Sequence, residues 1–180
     1  MVHGTATREI AERLLQKRYA GVDLFYDHGD SRRVAVCTPT SYIGRRFGAD
    51  ATLSGIDIVL VYRGKVFLLV ELEESEVRPK TVLGDVFGVV VAGHVRIKGR
   101  SYPIEDATLI VGVTVSGRGR RAEKYGRLER HLSKYVRALR HTAPRTRVTK
   151  VRIVASQPHD FLRRIEGLVH REVSKTITAR

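Results

Sequence analysis

The chain of 180 residues has one cysteine, one methionine and no tryptophan. A single cysteine excludes a disulfide framework and a zinc site built from cysteines. The seven histidines are scattered, and no two stand at a spacing convincing for a metal site. No stretch approaches the roughly 20 apolar residues that span a bilayer, and the N-terminus lacks the apolar segment of a secretion signal. We therefore expect a cytoplasmic protein that does not enter the membrane.

Acidic residues are scarce relative to basic ones. The chain has 19 Asp and Glu against 33 Lys and Arg, and its net charge is +14. Such an excess, supplied mostly by arginine, is typical of a domain that binds a polyanion, so nucleic acid is the expected partner. The alternative is an arginine-rich surface that reflects heat adaptation or a GC-rich genome. The shortage of Cys, Met and Trp is also compatible with a thermophile.

The apolar pattern predicts one α/β domain over residues 1–180. Apolar residues at helical spacing and capping residues indicate the helices, and β-branched runs between turn residues indicate the strands. The expected helices cover about 5–19, 79–92, 120–141 and 159–175. The expected strands cover about 23–26, 33–37, 55–62, 66–73, 107–115 and 148–154, and residues 38–54 are expected to be irregular. The predicted fold is a central mixed β-sheet flanked by helices.

The segment GIDIVLVYRGKVFLLVELEES, residues 55–75, carries carboxylates in an otherwise apolar hairpin. Asp57 stands near the start of the first strand, and Glu71 and Glu73 end the second. Residues i and i+2 of a strand share a face, so Glu71 and Glu73 point the same way. Unpaired buried carboxylates are unfavourable, and Mg²⁺ prefers oxygen ligands. The pattern therefore predicts a Mg²⁺ site, with Mn²⁺ as the alternative ion.

This hypothesis depends on the register of the hairpin. A regular two-residue turn pairs Asp57 with Val70, which puts Asp57 and Glu71 on opposite faces of the sheet. A three-residue loop or a β-bulge pairs Asp57 with Glu71 instead. We therefore predict one of these two irregularities. The open alternative is a solvent-exposed strand end that binds no metal and pairs its acids with Arg78 and Lys80.

Asp57, thirteen intervening residues and Glu71-x-Glu73 resemble the motif of the PD-(D/E)XK nuclease superfamily. The segment VELEESEVRPKTVLGDVFG looks like the junction between acidic strand and helix in restriction-endonuclease-like proteins. The resemblance covers about residues 5–115 and leaves about 116–180 as a basic C-terminal extension. It implies a restriction-endonuclease-like fold, with Asp57 and Glu71 as metal ligands and Glu73 at the place of the motif lysine.

Glu73 is a departure from this motif, because the lysine helps to position the attacking water. Three interpretations are open: Glu73 orients water and metal itself, Lys80 reaches the site from the next helix, or the chain does not cut. The proline that precedes the first acid is also missing, since Ser54-Gly55-Ile56 stands there. Glu12 on the first helix is a further candidate ligand, and an exposed surface position is its alternative.

Residues 116–147 hold eleven Arg or Lys and two Glu. A helical wheel groups an apolar stripe that we expect to pack in the core: Tyr125, Leu128, Leu132, Tyr135, Val136 and Leu139. The candidate nucleic-acid contacts are Arg127, Arg130, Lys134 and Arg137 on the opposite face, Arg118, Arg120 and Arg121 before it, and Arg45 and Arg46 in the loop that precedes the hairpin. The alternative for these residues is a merely solvated surface.

The resemblance implies a metal-dependent endonuclease that hydrolyses DNA phosphodiester bonds, and a homodimer because cutting two strands needs two sites. One alternative is a non-catalytic nucleic-acid-binding protein that retains the nuclease fold. Another is a structural subunit whose basic face meets an acidic protein. The sequence leaves RNA open as a substrate. It shows no P-loop, nucleophile elbow or zinc motif.

Overall fold

Apolar runs of the chain form a central β-sheet whose two faces are covered by helices. The computed structural model describes residues 5–27, 40–42, 52–73, 78–116, 119–142 and 147–178. The helices are α1 (Thr5–Gln16), α2 (Pro79–Val90), α3 (Arg120–Thr142) and α4 (Pro158–Thr178). The strands are β1 (Val22–Tyr26), β2 (Thr40–Tyr42), β3 (Thr52–Gly55), β4 (Ile58–Tyr62), β5 (Lys65–Glu73), β6 (His94–Ile97), β7 (Arg100–Thr114) and β8 (Val148–Ser156).

The sheet is mixed and mostly antiparallel, and its long strand β7 belongs to two parts. The main part has the order β1-β4-β5-β7-β8. Strands β1, β4 and β5 are antiparallel neighbours, whereas β5, β7 and β8 run parallel. The first residues of β7 pair instead with β6, and β2 and β3 extend the sheet from there. The fold is therefore an α/β architecture whose parallel strands lie at one side.

Two apolar layers hold the helices on the sheet. On one face α1 and α4 pack on β4, β5 and β7, and on the other face α2 packs on β3 and β7 while α3 packs on β8. Gly112 in β7 allows the close approach of α4, since a Cβ atom there would lie 2.8 Å from Phe161 and 2.9 Å from Ile165. No helix in the described ranges is long and apolar enough to cross a bilayer.

The parallel strands bring several chain segments to one edge of the sheet. The carboxyl ends of β5, β7 and β8 lie at the same edge, and so does the amino end of β4, because β4 is antiparallel to β5. We call this the carboxyl edge. Helices α3 and α4 follow β7 and β8 directly, so their N-terminal ends start there. Helix N-termini carry partial positive charge, which makes this edge suitable for anionic ligands.

Most elements expected from the sequence are present, and the differences have local causes. Strand β2 and most of β3 fall in residues 38–54, so the irregular segment expected there is wrong at these positions. The β6–β7 hairpin was also not expected. Its two-residue turn, Lys98-Gly99, has φ values of 48° and 79°, and alternate residues of both strands are buried. The strand expected at 33–37 lies outside the described residues.

The apolar stripe of α3 is confirmed in part. Tyr125, Leu132 and Val136 are buried, and Leu128 and Leu139 pack against them partly buried. Tyr135 does not belong to the core, because it is 46% exposed. Its ring meets Phe87 of α2 edge to face, with the ring centroids 5.8 Å apart. The prediction for Tyr135 was therefore wrong, since this residue stands at the margin of the stripe.

Candidate active site

The β4–β5 hairpin contains the irregularity that the acids require. Its turn has two residues, Arg63 and Gly64, with φ values of 51° and 77°. Close to the turn Val61 pairs with Val66. One residue further from the turn the register shifts, and Leu60 pairs with Leu68. The shift is a β-bulge that leaves Phe67 as the extra residue. The predicted bulge is confirmed, whereas the three-residue loop is not formed.

The bulge sets Asp57 opposite Glu71. Beyond it, Ile58 pairs with Val70, so one further step along both strands aligns the two acids. The backbone N–H of Asp57 donates to the Glu71 carboxylate, and the backbone N–H of Leu72 donates to Asp57 Oδ2 at 2.7 Å. Asp57 is therefore fixed from both sides.

A fourth acid, Asp85 of α2, joins this group, and the sequence analysis missed it. Its side chain shares a hydrogen bond with Glu73, which requires one of the two carboxyls to carry a proton. Its Oδ2 atom is buried and has no hydrogen-bond partner in the described part of the chain. The sequence did contain a signal for Asp85. This residue lies on the apolar side of α2, only about 40° around the helix axis from the buried Val89. We call Asp57, Glu71, Glu73 and Asp85 the acid cluster.

Mutual repulsion and burial control protonation in the acid cluster. Burial raises the pKa of Glu71 well above its usual value, and the charges of Asp57, Asp85 and Glu73 raise it further. The hydrogen bond from the Asp57 backbone opposes this effect. Burial also raises the pKa of Asp85, which its hydrogen bond with Glu73 lowers in part. Glu71 and Asp85 therefore lose their protons at a higher pH than ordinary carboxyls do.

The acid cluster supplies ligands of the type that a hard divalent cation prefers. Its donors are carboxylate oxygens, and Asp85 Oδ2 is buried without a partner among the described residues. Nevertheless, no three His, Cys, Asp or Glu side chains within those residues surround a common point that could hold a metal ion. The residues therefore fit Mg²⁺ or Mn²⁺ in their chemistry, and their side chains would have to turn toward one another on binding.

Other predicted ligands lie away from the acid cluster. Lys80 is exposed in the first turn of α2, about 140° around the helix axis from Asp85. It forms no ion pair with any residue that the structure describes. Glu12 is exposed on α1, pairs with Arg8 at 3.2 Å and belongs to a helix on the opposite face of the sheet. The surface position proposed as its alternative is the one observed.

The basic face of α3 is exposed. Arg127, Arg130, Lys134 and Arg137 all point to solvent, and none takes part in an ion pair within the described ranges. Uncompensated like charges at helical spacing are unfavourable for the free helix, so this face is suited to a polyanion. Arg45, Arg46 and Arg118 lie outside the described residues. Arg120 and Arg121 open α3, but their side chains also lie outside the described part.

Comparison of the chain with protein-family models, with curated proteins and with solved structures gives no match.

Proposed function

We propose that this chain is a metal-dependent endonuclease that hydrolyses DNA phosphodiester bonds. The observation that carries the proposal is the β-bulge, which sets Asp57 opposite Glu71 at the carboxyl edge. A regular hairpin would have separated these two acids. The fold instead gathers four carboxylates, and burial together with the charges of the other three raises the pKa of Glu71. A divalent cation would relieve this repulsion.

The order of the elements supports a restriction-endonuclease-like fold. The resemblance implies a helix, an acid-bearing hairpin, a crossing helix and a further strand. Helix α1, the β4–β5 hairpin, α2 and the parallel strand β7 follow this order. The residues after β7 add α3, β8 and α4. Strand β8 extends the same sheet, because it pairs with β7.

In this proposal the acid cluster organises the reaction. When bound, Mg²⁺ or Mn²⁺ supplies a Lewis acid and a bound water of lowered pKa. Asp57 and Glu71 would hold the ion, and the hydrogen bond from Leu72 keeps Asp57 oriented for that task. Glu73 would orient the attacking water, with Asp85 as its hydrogen-bonded partner. The exposed basic face of α3 would bind the phosphates of the substrate.

A second candidate function is non-catalytic binding of nucleic acid. Glu73 replaces the motif lysine, and Lys80 is exposed on another side of α2. No three acids of the described chain surround one metal position. These observations favour a protein that retains the nuclease fold and the basic surface without the chemistry. Such a protein would bind DNA equally well with Mg²⁺ or with a chelator.

Cleavage of labelled DNA distinguishes the two functions. Plasmid, linear duplex, single-stranded and four-way-junction DNA are incubated with Mg²⁺, Mn²⁺ or EDTA at 37 and 70 °C. Asp57→Asn keeps the shape of the side chain and should lower the cleavage rate by about 100-fold or more. Asp23→Asn removes a carboxylate from an exposed position of β1 and is the matched control. Metal-independent binding with no cutting of any substrate would replace the nuclease by the binding protein.

A further inference from the structure

A cavity lies at the carboxyl edge, two strands away from the acid cluster. It has a volume of about 250 Å³ and lies where β7 and β8 end and α3 and α4 begin. Val115 and Ser156 at the ends of β7 and β8 line it, together with Gly119 and Ala122 at the start of α3 and Asp160 and Arg164 of α4. Glu73 pairs with Val113, and Val113 pairs with Ala155. Adjacent strands are about 4.8 Å apart, so the cavity lies on the order of 10 Å from Glu73.

Ser156 gives this cavity a polar group that the fold leaves without a partner. Its side chain is only 6% exposed, and its Oγ atom is buried with no hydrogen-bond partner among the described residues. A buried hydroxyl without a hydrogen bond is unfavourable. The cost is offset if a ligand in the cavity accepts a hydrogen bond from Ser156.

The surroundings of Ser156 favour an anion as that ligand. The first turns of α3 and α4, helices of 23 and 21 residues, both border the cavity. In α3 the first N–H group that bonds a backbone carbonyl is that of Glu123, to Gly119, so the N–H groups before it can meet an anion. In α4 Pro158 has no N–H and the N–H of Asp160 donates to the Gln157 carbonyl at 3.0 Å, so this helix contributes mainly the partial positive charge of its N-terminal end. Arg164 lines the same cavity and adds a full positive charge. Hydroxyl, backbone N–H groups and guanidinium are together the donors that bind phosphate oxygens.

One acid in the cavity, Asp160, would repel an anion and limits where the anion can be bound. Asp160 also lines the cavity, but Arg163 donates a hydrogen bond to Asp160 Oδ1 at 2.7 Å. Its Oδ2 atom lies 3.6 Å from His159 Nε2, and the charge of Arg164 also acts on Asp160. An anion must therefore compete with Asp160 for Arg164. An anion would be bound on the side of Ser156 and Arg164, and it would be repelled by Asp160. Asp160→Asn should accordingly strengthen binding severalfold.

We infer that this cavity is a phosphate-binding site built from Ser156, Arg164 and the N-terminal ends of α3 and α4. Its occupant is either the phosphate of a nucleic-acid strand or free inorganic phosphate. The first source rests on the proposed nuclease function and would give the substrate a fixed point beside the acid cluster.

Inorganic phosphate tests the site without any nuclease activity. Its affinity is measured by calorimetry, and its effect on the melting temperature is measured against chloride at equal ionic strength. We expect Arg164→Gln to weaken binding by about tenfold and Ser156→Ala by severalfold. Arg171→Gln is the matched control, because Arg171 lines a neighbouring cavity together with Arg164 but does not line the phosphate cavity. Ser156→Ala should not lower the melting temperature without phosphate, since the hydroxyl it removes has no partner in the described chain.

Oligonucleotides identify the source of the phosphate. Single strands with a 5′-phosphate, a 3′-phosphate or hydroxyl ends are bound in EDTA, with inorganic phosphate as competitor. Tighter binding of one phosphorylated end, lost in Arg164→Gln, supports a strand terminus. Binding of inorganic phosphate without discrimination between ends supports the free ion. The inference is overturned if neither probe binds, or if Arg164→Gln and Arg171→Gln bind alike. Asp57→Asn should bind phosphate like the unaltered protein, so this result is separate from the outcome of the cleavage assay.

Discussion

Two carboxylates at opposite ends of the same sheet have opposite surroundings. Glu172 of α4 is only 8% exposed and lies near the amino ends of β7 and β8. It accepts hydrogen bonds from Lys150 at 2.5 Å and Lys175 at 3.4 Å. Burial alone would raise its pKa, but these two cations more than offset that effect and lower it. Glu71 lies at the carboxyl edge, and its pKa is raised by burial and by three other acids.

The difference between Glu172 and Glu71 indicates a structural role for the first and a functional role for the second. The fold supplies basic partners where a buried carboxylate has a structural role, as at Glu172. Around Glu71 the neighbouring charges that shift the pKa are the carboxylates of Asp57, Asp85 and Glu73 instead. An arrangement that is unfavourable in the free protein is typical of a functional site. We therefore regard the acid cluster as a place for an external cation.

The largest expected effect on stability concerns the compensated acid. Lys150→Ala leaves Glu172 buried without its nearest cation and should lower the free energy of unfolding by about 2 kcal/mol. Lys175→Ala is the matched control, because its side chain is 66% exposed and contributes at most a few tenths of a kcal/mol. Urea unfolding monitored by circular dichroism measures both. Equal effects of the two substitutions would show that Glu172 is not the buried, compensated acid described above.

Asp85 tests whether the acid cluster acts through hydrogen bonding or through charge. Asp85→Ala removes the partner of Glu73 and should lower the cleavage rate by about tenfold. Asp85→Asn can still donate a hydrogen bond to Glu73, so it should retain activity to within about threefold. Single-turnover cleavage measures both variants. If Asp85→Asn is as inactive as Asp85→Ala, the charge of Asp85 matters, and this residue belongs with the metal ligands.

Glu71→Gln should stabilise the metal-free protein, in contrast to Lys150→Ala. Above the usual pKa of the carboxyl, the raised pKa of Glu71 lowers stability. The amide does not titrate, so Glu71→Gln should raise the free energy of unfolding by about 1 kcal/mol at neutral pH. The pKa of Glu71 is raised in the folded state, so its contribution is favourable at low pH and is lost as pH rises from its usual value of 4.5 through the raised value. Glu71→Gln should therefore flatten the dependence of stability on pH in EDTA.

The exposed Glu12 provides the control for that experiment. Glu12→Gln loses only a surface ion pair with Arg8, worth a few tenths of a kcal/mol. It should keep the pH profile of the unaltered protein. A profile that is equally steep after Glu71→Gln would mean that the repulsion inferred for the acid cluster does not influence folding.

The smallest effect is expected from Lys80. The residue is exposed and lies about 140° around α2 from Asp85. Lys80→Ala should change the cleavage rate by less than about twofold. A loss of 10-fold or more would restore the interpretation in which this lysine replaces the one missing from the motif.

The sequence could predict the β-bulge because two constraints had to agree. Strand alternation fixed which residues face each other, and only a shifted register could bring Asp57 to Glu71. The sequence analysis missed Asp85 because a single acid inside a helix is usually a surface residue. The acids that it meets belong to the β4–β5 hairpin, not to its own helix. The phosphate cavity could not be predicted, since Ser156, Ala122 and Arg164 meet only through the packing of β8, α3 and α4. The β6–β7 hairpin was missed although Lys98-Gly99 between alternating apolar residues was available as a signal.

The most direct test of the acid cluster is a titration with Mn²⁺ or Mg²⁺ in the absence of DNA at pH 7.5. Calorimetry measures the affinity for the ion, and the melting temperature measures its effect on stability. The unaltered protein should bind the ion and melt at a higher temperature, because the ion compensates the clustered charge. Asp57→Asn and Glu71→Gln should each weaken binding by about tenfold or more, whereas Asp23→Asn should bind normally. Absence of binding, or equal affinity in all four proteins, would contradict the metal site and with it the proposed nuclease.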